Sequence, residues 1–196
     1  MSEAYTKFTA YKGENKDDKS LKWGVAMGET VKDGFKVSAM KRPFEKSTLV
    51  ETKTTFENVE LKKVVDAFVD YFDLDEALKE YKLIEKKDNT SVHYTKYGIP
   101  IPFVSDRDVV TEFTVEEVDG GIFVVAKDVE HADMPVNPKI YRMTCWSGNF
   151  FAQEGSNVTK LSYEWAEAGN VLLNGFDADS TIGDSTLILK KYKMIS

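Results

Sequence analysis

The chain has 196 residues, a formal net charge of −7 and a pI of about 5.0. No clustered basic face is available for a phosphate backbone, which disfavours nucleic acid as a partner. With 42% hydrophobic and 12% aromatic residues, one domain of this length buries roughly 70% of its unfolded surface, as a thick core or around a ligand cavity. Cys145 has no second cysteine to pair with, which fits a reducing compartment. No run approaches the ~18 apolar residues of a membrane span, and Met1 to Lys7 lack the apolar segment of a secretory leader. The expected location is cytoplasmic.

Tyr5, Phe8 and Tyr11 form a weak apolar stripe ahead of Gly13, which predicts a short first helix; the charged run 14–19 reads as a solvated link. Strands are expected over 22–30 and 35–42, with Asp33-Gly34 between them as a strong hairpin signal. Pro43 is expected to end the second strand, and a Thr- and Val-rich third covers 48–56. Leu61, Val64, Val65, Phe68, Val69 and Phe72 then recur at helical spacing, with Asn58 as the expected N-cap. Residues 73–78 read as a short second helix that gives way to a strand near Tyr81. Further strands are expected over 91–97, 108–118, 122–129, 139–146 and 157–166, with a Pro-containing loop at 130–138. The closing stretch 169–194 carries Leu172, Leu173, Phe176, Ile182, Leu187, Ile188 and Tyr192, but also Gly175, Gly183 and many poor helix formers. A helix there is several kcal/mol weaker than polyalanine and depends on packing, and an irregular tail is the alternative. There is no repeat, low-complexity tract or linker, so residues 1–196 read as a single domain, with 1–20 as helix and link.

Chemistry has little to stand on. His93 reads as a solvated strand position and His131 as a loop residue; two histidines and one cysteine far apart do not make a metal site. There is no Gly-x-Ser-x-Gly elbow and no Gly-rich phosphate loop, and Cys145 reads as buried and inert. No catalytic residue and no cofactor is expected, and the chain does not read as an enzyme. Alternation is clear, however. Val109, Thr111, Phe113 and Val115 share one strand face, and Leu161, Tyr163 and Trp165 share another, opposite Lys160, Ser162 and Glu164. Such alternation fits an antiparallel sheet with one wet side, but does not separate a plain core from a cavity lining.

Between two of these strands lies Tyr97-Gly98-Ile99-Pro100-Ile101-Pro102-Phe103-Val104, a loop with two prolines and mostly apolar side chains. A loop of that kind packs on the body or touches something apolar outside. With the residues that follow it, Pro102-Phe103-Val104-Ser105-Asp106-Arg107-Asp108-Val109-Val110 resembles the central signature of START domains (steroidogenic acute regulatory protein-related lipid transfer). The resemblance implies an α+β helix-grip fold: a curved antiparallel sheet wrapped around a long C-terminal lid helix (169–194) and enclosing an apolar cavity. It implies a non-enzymatic domain that binds a lipid there and carries or presents it between membranes. The alternatives are a helix-grip enzyme of cyclase or hydrolase type acting on a large apolar substrate, or an interaction module with a filled core.

Under the resemblance, the lipid would contact Tyr94, Thr111, Phe113, Met143, Tyr163, Trp165, Leu172 and Phe176, and Ile99, Ile101 and Phe103 would form a gate. Tyr94 and Phe113 match places where sterol-binding members carry a buried acid and arginine, so a more uniformly apolar cavity is expected, with a phospholipid or other acyl lipid favoured over a sterol. The expected partners are that lipid and, transiently, a membrane surface, and the expected state is monomeric.

Overall fold

Apolar residues at every second position build strands, and those at every third or fourth build helices. In the computed structural model, which describes residues 2–99, 102–169 and 178–196, α1 (Glu3–Lys12) precedes β1 (Gly24–Lys32), β2 (Phe35–Phe44) and β3 (Ser47–Phe56). Then come α2 (Leu61–Asp70), a 3-10 turn (Tyr71–Leu74), β4 (Leu78–Lys87), β5 (Thr90–Tyr97), β6 (Arg107–Val118) and β7 (Gly121–Asp128). The chain continues with β8 (Tyr141–Arg142), β9 (Thr144–Glu154), β10 (Asn157–Glu167) and α3 (Ala178–Ile195). The long strands form one antiparallel sheet in the order β1-β2-β3-β10-β9-β7-β6-β5-β4, and β8 pairs in parallel with the start of β6. Adjacent β3 and β10 join the early and late strands of the chain, with Ser162 opposite Thr52 and Lys160 opposite Thr54.

Local chemistry explains most of the boundaries. Ser2 caps α1 by accepting from the Tyr5 N–H, and the helix closes where Gly13 donates to the Thr9 carbonyl and Glu14 to the Tyr11 carbonyl. Gly34 takes the positive φ that the β1–β2 hairpin turn needs. Three expectations change. Pro43 does not end β2, which pairs with β3 as far as Phe44. Pro43 lies past Gly24, where β1 begins opposite Lys41, so its missing N–H costs no ladder bond on that side. Asn58 is a left-handed linker at φ 55° rather than an N-cap. Instead Gln153 does the capping from β9: its side-chain oxygen accepts from the Leu61 N–H at 2.9 Å and its amide donates to the Val59 carbonyl at 3.1 Å. The expected helix over 73–78 is only the 3-10 turn, and β4 starts at Leu78.

Strand β9 runs unbroken through Gly148 and Asn149 to Glu154, past the expected end at Trp146. A Cβ on Gly148 would stand 2.9 Å from Trp146 and 3.1 Å from Phe123, so glycine there is what lets these rings close over the strand. Asn149 is buried but satisfied. It accepts from Ser162 at 2.8 Å and donates to Ser147 at 3.0 Å and the Val124 carbonyl at 3.2 Å.

Both faces of the sheet are covered. On one, Phe8 and Tyr11 of α1 bury against Leu49, Phe123, Val125, Trp146 and Tyr163. Phe8 meets Phe123 at 5.3 Å and Tyr163 at 5.5 Å between ring centroids, contacts worth ~0.5–1.5 kcal/mol each beyond burial. On the other face, α2 and α3 pack with Phe35, Val37, Phe56, Phe113, Val124, Ala126 and Phe151. The space between α3 and this second face is not completely filled.

Candidate functional site

A cavity of about 580 Å³ lies between α3 and the sheet. Alternate residues of each strand reach it. From β5 come His93, Thr95 and Tyr97; from β6, Arg107, Val109, Thr111 and Phe113; from β3, Thr48, Val50 and Thr52. Phe68 of α2, Tyr71 and Phe72 of the 3-10 turn, and Thr181, Asp184 and Ile188 of α3 close the other side, and Ile99 stands at the start of the apolar loop.

The lining is not uniformly apolar, which corrects the expectation drawn from the missing acid–arginine pair. Lys160 and Glu164 of β10 project into the cavity together with Asp184 of α3. Burial lowers the affinity of Lys160 for its proton and raises that of Glu164. Burial, reinforced by the charge on Glu164, pushes Asp184 up to about 7, with Lys160 and the Tyr71 phenol opposing the shift. The phenols of Tyr71 and Tyr97 are held protonated by burial.

His93 is buried rather than solvated. Its Nε2 pairs with the Ser91 hydroxyl at 2.8 Å and its Nδ1 with the Tyr81 hydroxyl at 3.1 Å. Burial takes its pKa down to about 4, so the imidazole is neutral. Its ring lies 5.2 Å from Phe113. The strand residue beside Phe113 in the cavity is therefore His93, because Tyr94 faces the opposite way. Cys145 also lines the cavity, and burial carries its thiol up to about 12, which leaves it unreactive.

The Ser105–Asp108 signature does architectural work. Arg107 is buried and donates from Nε to the Ala168 carbonyl at 2.7 Å, and from Nη1 to the Ser105 carbonyl. Asp108 is buried too and accepts a fork from Arg142 of β8 at 2.8 and 3.1 Å. Asp106 accepts from Lys79 at 2.9 Å. The motif thus ties the start of β6 to β8 and to the end of β10.

No protein-family model and no curated protein matches the sequence. Solved structures do match. Human StAR-related lipid transfer protein 5 aligns with a TM-score of 0.63 at 17% identity, over 97% of this chain and 89% of that one. The lipid transfer and protein localization domain of human StarD13 aligns with a TM-score of 0.65 at 12% identity, over 98% of both chains. A STAR-related lipid transfer protein from Xanthomonas axonopodis aligns at 0.59 and 20% identity, over 87% of this chain and 92% of that one. The chain has the START helix-grip fold. The α+β architecture expected from the Pro102–Val110 resemblance is what the backbone forms.

Within this START fold the expected contact and gate residues separate. Thr111, Phe113, Met143 and Ile99 line the cavity. Tyr94 and Tyr163 do not. Tyr94 packs with Val92 and Val110 on the far side of the sheet, and Tyr163 packs under α1, where its hydroxyl donates to Glu51. Trp165 borders the cavity, yet its ring lies 6.0 Å from Phe44 on the α1 side. Leu172, Phe176 and Ile101 fall outside the described residues. Phe103 is fully exposed at the tip of the loop, with φ 64°.

The reversal on β10 has a simple cause. Tyr163 and Trp165 are apolar because α1 covers them, while Lys160 and Glu164, which look like a wet face, point into the cavity. One signal in the sequence was available: Asp184 lies one helical turn before Ile188, on the stripe that α3 must bury.

Proposed function

We propose that the protein binds a lipid in this cavity and carries or presents it between membranes, without catalysing a reaction on it. The observation that carries the reading is the internal space of about 580 Å³ under α3, well above the roughly 300 Å³ at which ligand cavities begin. At the ~30 Å³ a water-sized group occupies in a liquid, 580 Å³ holds roughly 20 such groups. Among acyl lipids that size favours a single chain over a two-chain phospholipid.

Burying a chain of about 16 carbons is worth on the order of 12 kcal/mol relative to water. A membrane offers much the same, so transfer is near neutral overall and the protein's task is kinetic. The loop supplies the opening: Ile99 borders the cavity and Phe103 presents a bare ring to solvent. Together with Ile101 they would dip into the interface while the lid swings away. Lid helix α3 is latched at its far end, where Lys191 pairs with Asp73 at 2.7 Å and the Tyr192 phenol accepts from the Glu60 N–H at 3.3 Å. Lys191 is therefore a latch residue, and of the run 190–193 Lys190 and Lys193 remain exposed for a phosphate contact.

A catalytic alternative would draw on the three charges in the cavity, but the side chains that could attack a substrate do not support it. The Cys145 thiol is protonated, and His93 is neutral and occupied at both nitrogens. The test is vesicle-to-vesicle transfer of a fluorescent single-chain lipid. Ile101→Asp with Phe103→Asp should slow transfer about tenfold while leaving the urea midpoint in place, since both changes fall on the loop. Unchanged transfer would remove the gate.

A further inference from the structure

The charged part of the cavity has a composition that its own residues do not balance. Lys160 and Glu164, four residues apart on β10, share the cavity face, and Asp184 reaches it from α3. That is two carboxylates to one ammonium; the other cation of the lining, Arg107, is taken up by the Ala168 and Ser105 carbonyls. Among the described residues the three form no ion pair with one another. The Lys160 ammonium sits 5.1 Å from the ring centroid of Phe68, and Asp184 has the Tyr71 phenol beside it. Next to them Thr52, 2% exposed and lining the same cavity, has a hydroxyl with no hydrogen-bond partner. Thr52 lies directly across from Ser162, whose hydroxyl is already given to Asn149. Buried polar groups without partners are costly, and a built cavity that contains them is short of a ligand's polar atoms.

We propose that this end of the cavity is a headgroup subsite for a single-chain amphiphile bearing a protonated amine, inserted polar end first, with Glu164 and Asp184 receiving the ammonium and Thr52 bonding a neighbouring polar atom of the ligand. The inference rests on the lipid-binding reading above and adds the chemical class. Charge decides it. Lys160 neutralises one carboxylate; the second negative charge is left over, and in the empty cavity a proton relieves it. A ligand ammonium takes the place of that proton. A fatty acid or a phosphate would add a further negative charge to the same space, and a fatty alcohol would leave the excess as it was.

Binding of the amine therefore releases a proton and strengthens as pH rises. The groups facing Asp184 are Lys160 and Glu164 from β10, Tyr71 and Asp75 at the 3-10 turn and Tyr97 from β5. The two phenols stay protonated throughout, which leaves Asp184, held up to about 7 by burial and the charge on Glu164, to give up the proton near neutrality.

The test uses the full chain freed of lipid, with dodecylamine, dodecanol and dodecanoate competing for a fluorescent amphiphile at about pH 8 and about pH 6. The amine should bind at least about tenfold tighter than the alcohol at the higher pH, as a charge-assisted bond predicts, and its advantage should shrink at the lower one. Asp184→Asn and Glu164→Gln remove the same formal charge. Either should bring the affinity of the amine down to about that of the alcohol measured on the same variant, so one well-folded variant is enough. Equal or tighter binding of the alcohol or the carboxylate to the wild type would overturn the proposal, as would an amine preference that survives in both variants. If none of the three amphiphiles binds, the lipid-carrier reading itself fails.

Discussion

Replacing Asp184 by asparagine is expected to stabilise the lipid-free protein at pH 8 and to change it little near pH 4. An unfolded aspartate titrates near 3.9, whereas burial and the charge on Glu164 carry folded Asp184 to about 7. Between those values the folded protein holds a proton that the unfolded chain has released. Stability therefore falls as pH rises through that window, by about 1.4 kcal/mol per pH unit. Roughly three units give an upper bound of about 4 kcal/mol; because Asp184 keeps part of its surface within the cavity, about 2 kcal/mol is the working figure. Asparagine keeps the shape, removes the charge and leaves Lys160 and Glu164 matched one to one. Urea unfolding of both proteins at half-unit steps of pH measures the difference directly. The curves should separate above about pH 5 and be widest at pH 8. A wild type as stable as the variant at pH 8, or a gap that does not change with pH, would refute the placement of this charge in a secluded cavity.

Three further outcomes follow from the same geometry. Arg107→Met removes the buried bonds to the Ala168 and Ser105 carbonyls and should cost about 1.5–3 kcal/mol in urea unfolding. Phe8→Ala should cost about 3–5 kcal/mol, yet leave amphiphile affinity per folded molecule unchanged, because Phe8 packs on the face of the sheet away from the cavity. Lys191→Ala breaks the pair with half-exposed Asp73. It should shift stability by less than about 1 kcal/mol while speeding lipid release in a stopped-flow transfer assay, since one of the two contacts that latch α3 is gone.

The strands, the hairpin at Asp33-Gly34 and the apolar stripe of α2 were legible in the sequence because each is a local pattern with a local cause. So was the side of β6 that faces the cavity: Val109, Thr111 and Phe113 all line it. What a single strand cannot reveal is which of two covered faces it is showing. Tyr163 and Trp165 look like cavity residues and belong under α1; Lys160, Glu164 and His93 look wet and point inward. That assignment depends on the placement of α1, α2 and α3, set by contacts between residues more than a hundred positions apart, such as Phe8 with Tyr163. The N-cap of α2 escaped for the same reason, because Gln153 supplies it from β9. The family signature was legible as a fold marker, while its work of pinning β6 to β8 and to the end of β10 appears only once Ala168 and Arg142 are in place beside it.

Native mass spectrometry of the full chain, after incubation with vesicles doped with a long-chain amine, shows whether the space under α3 takes up a lipid. One single-chain amphiphile per protein molecule is the predicted result, lost on competition with excess dodecylamine. A spectrum showing only the bare protein, before and after incubation, would mean that the space under α3 is not a lipid site.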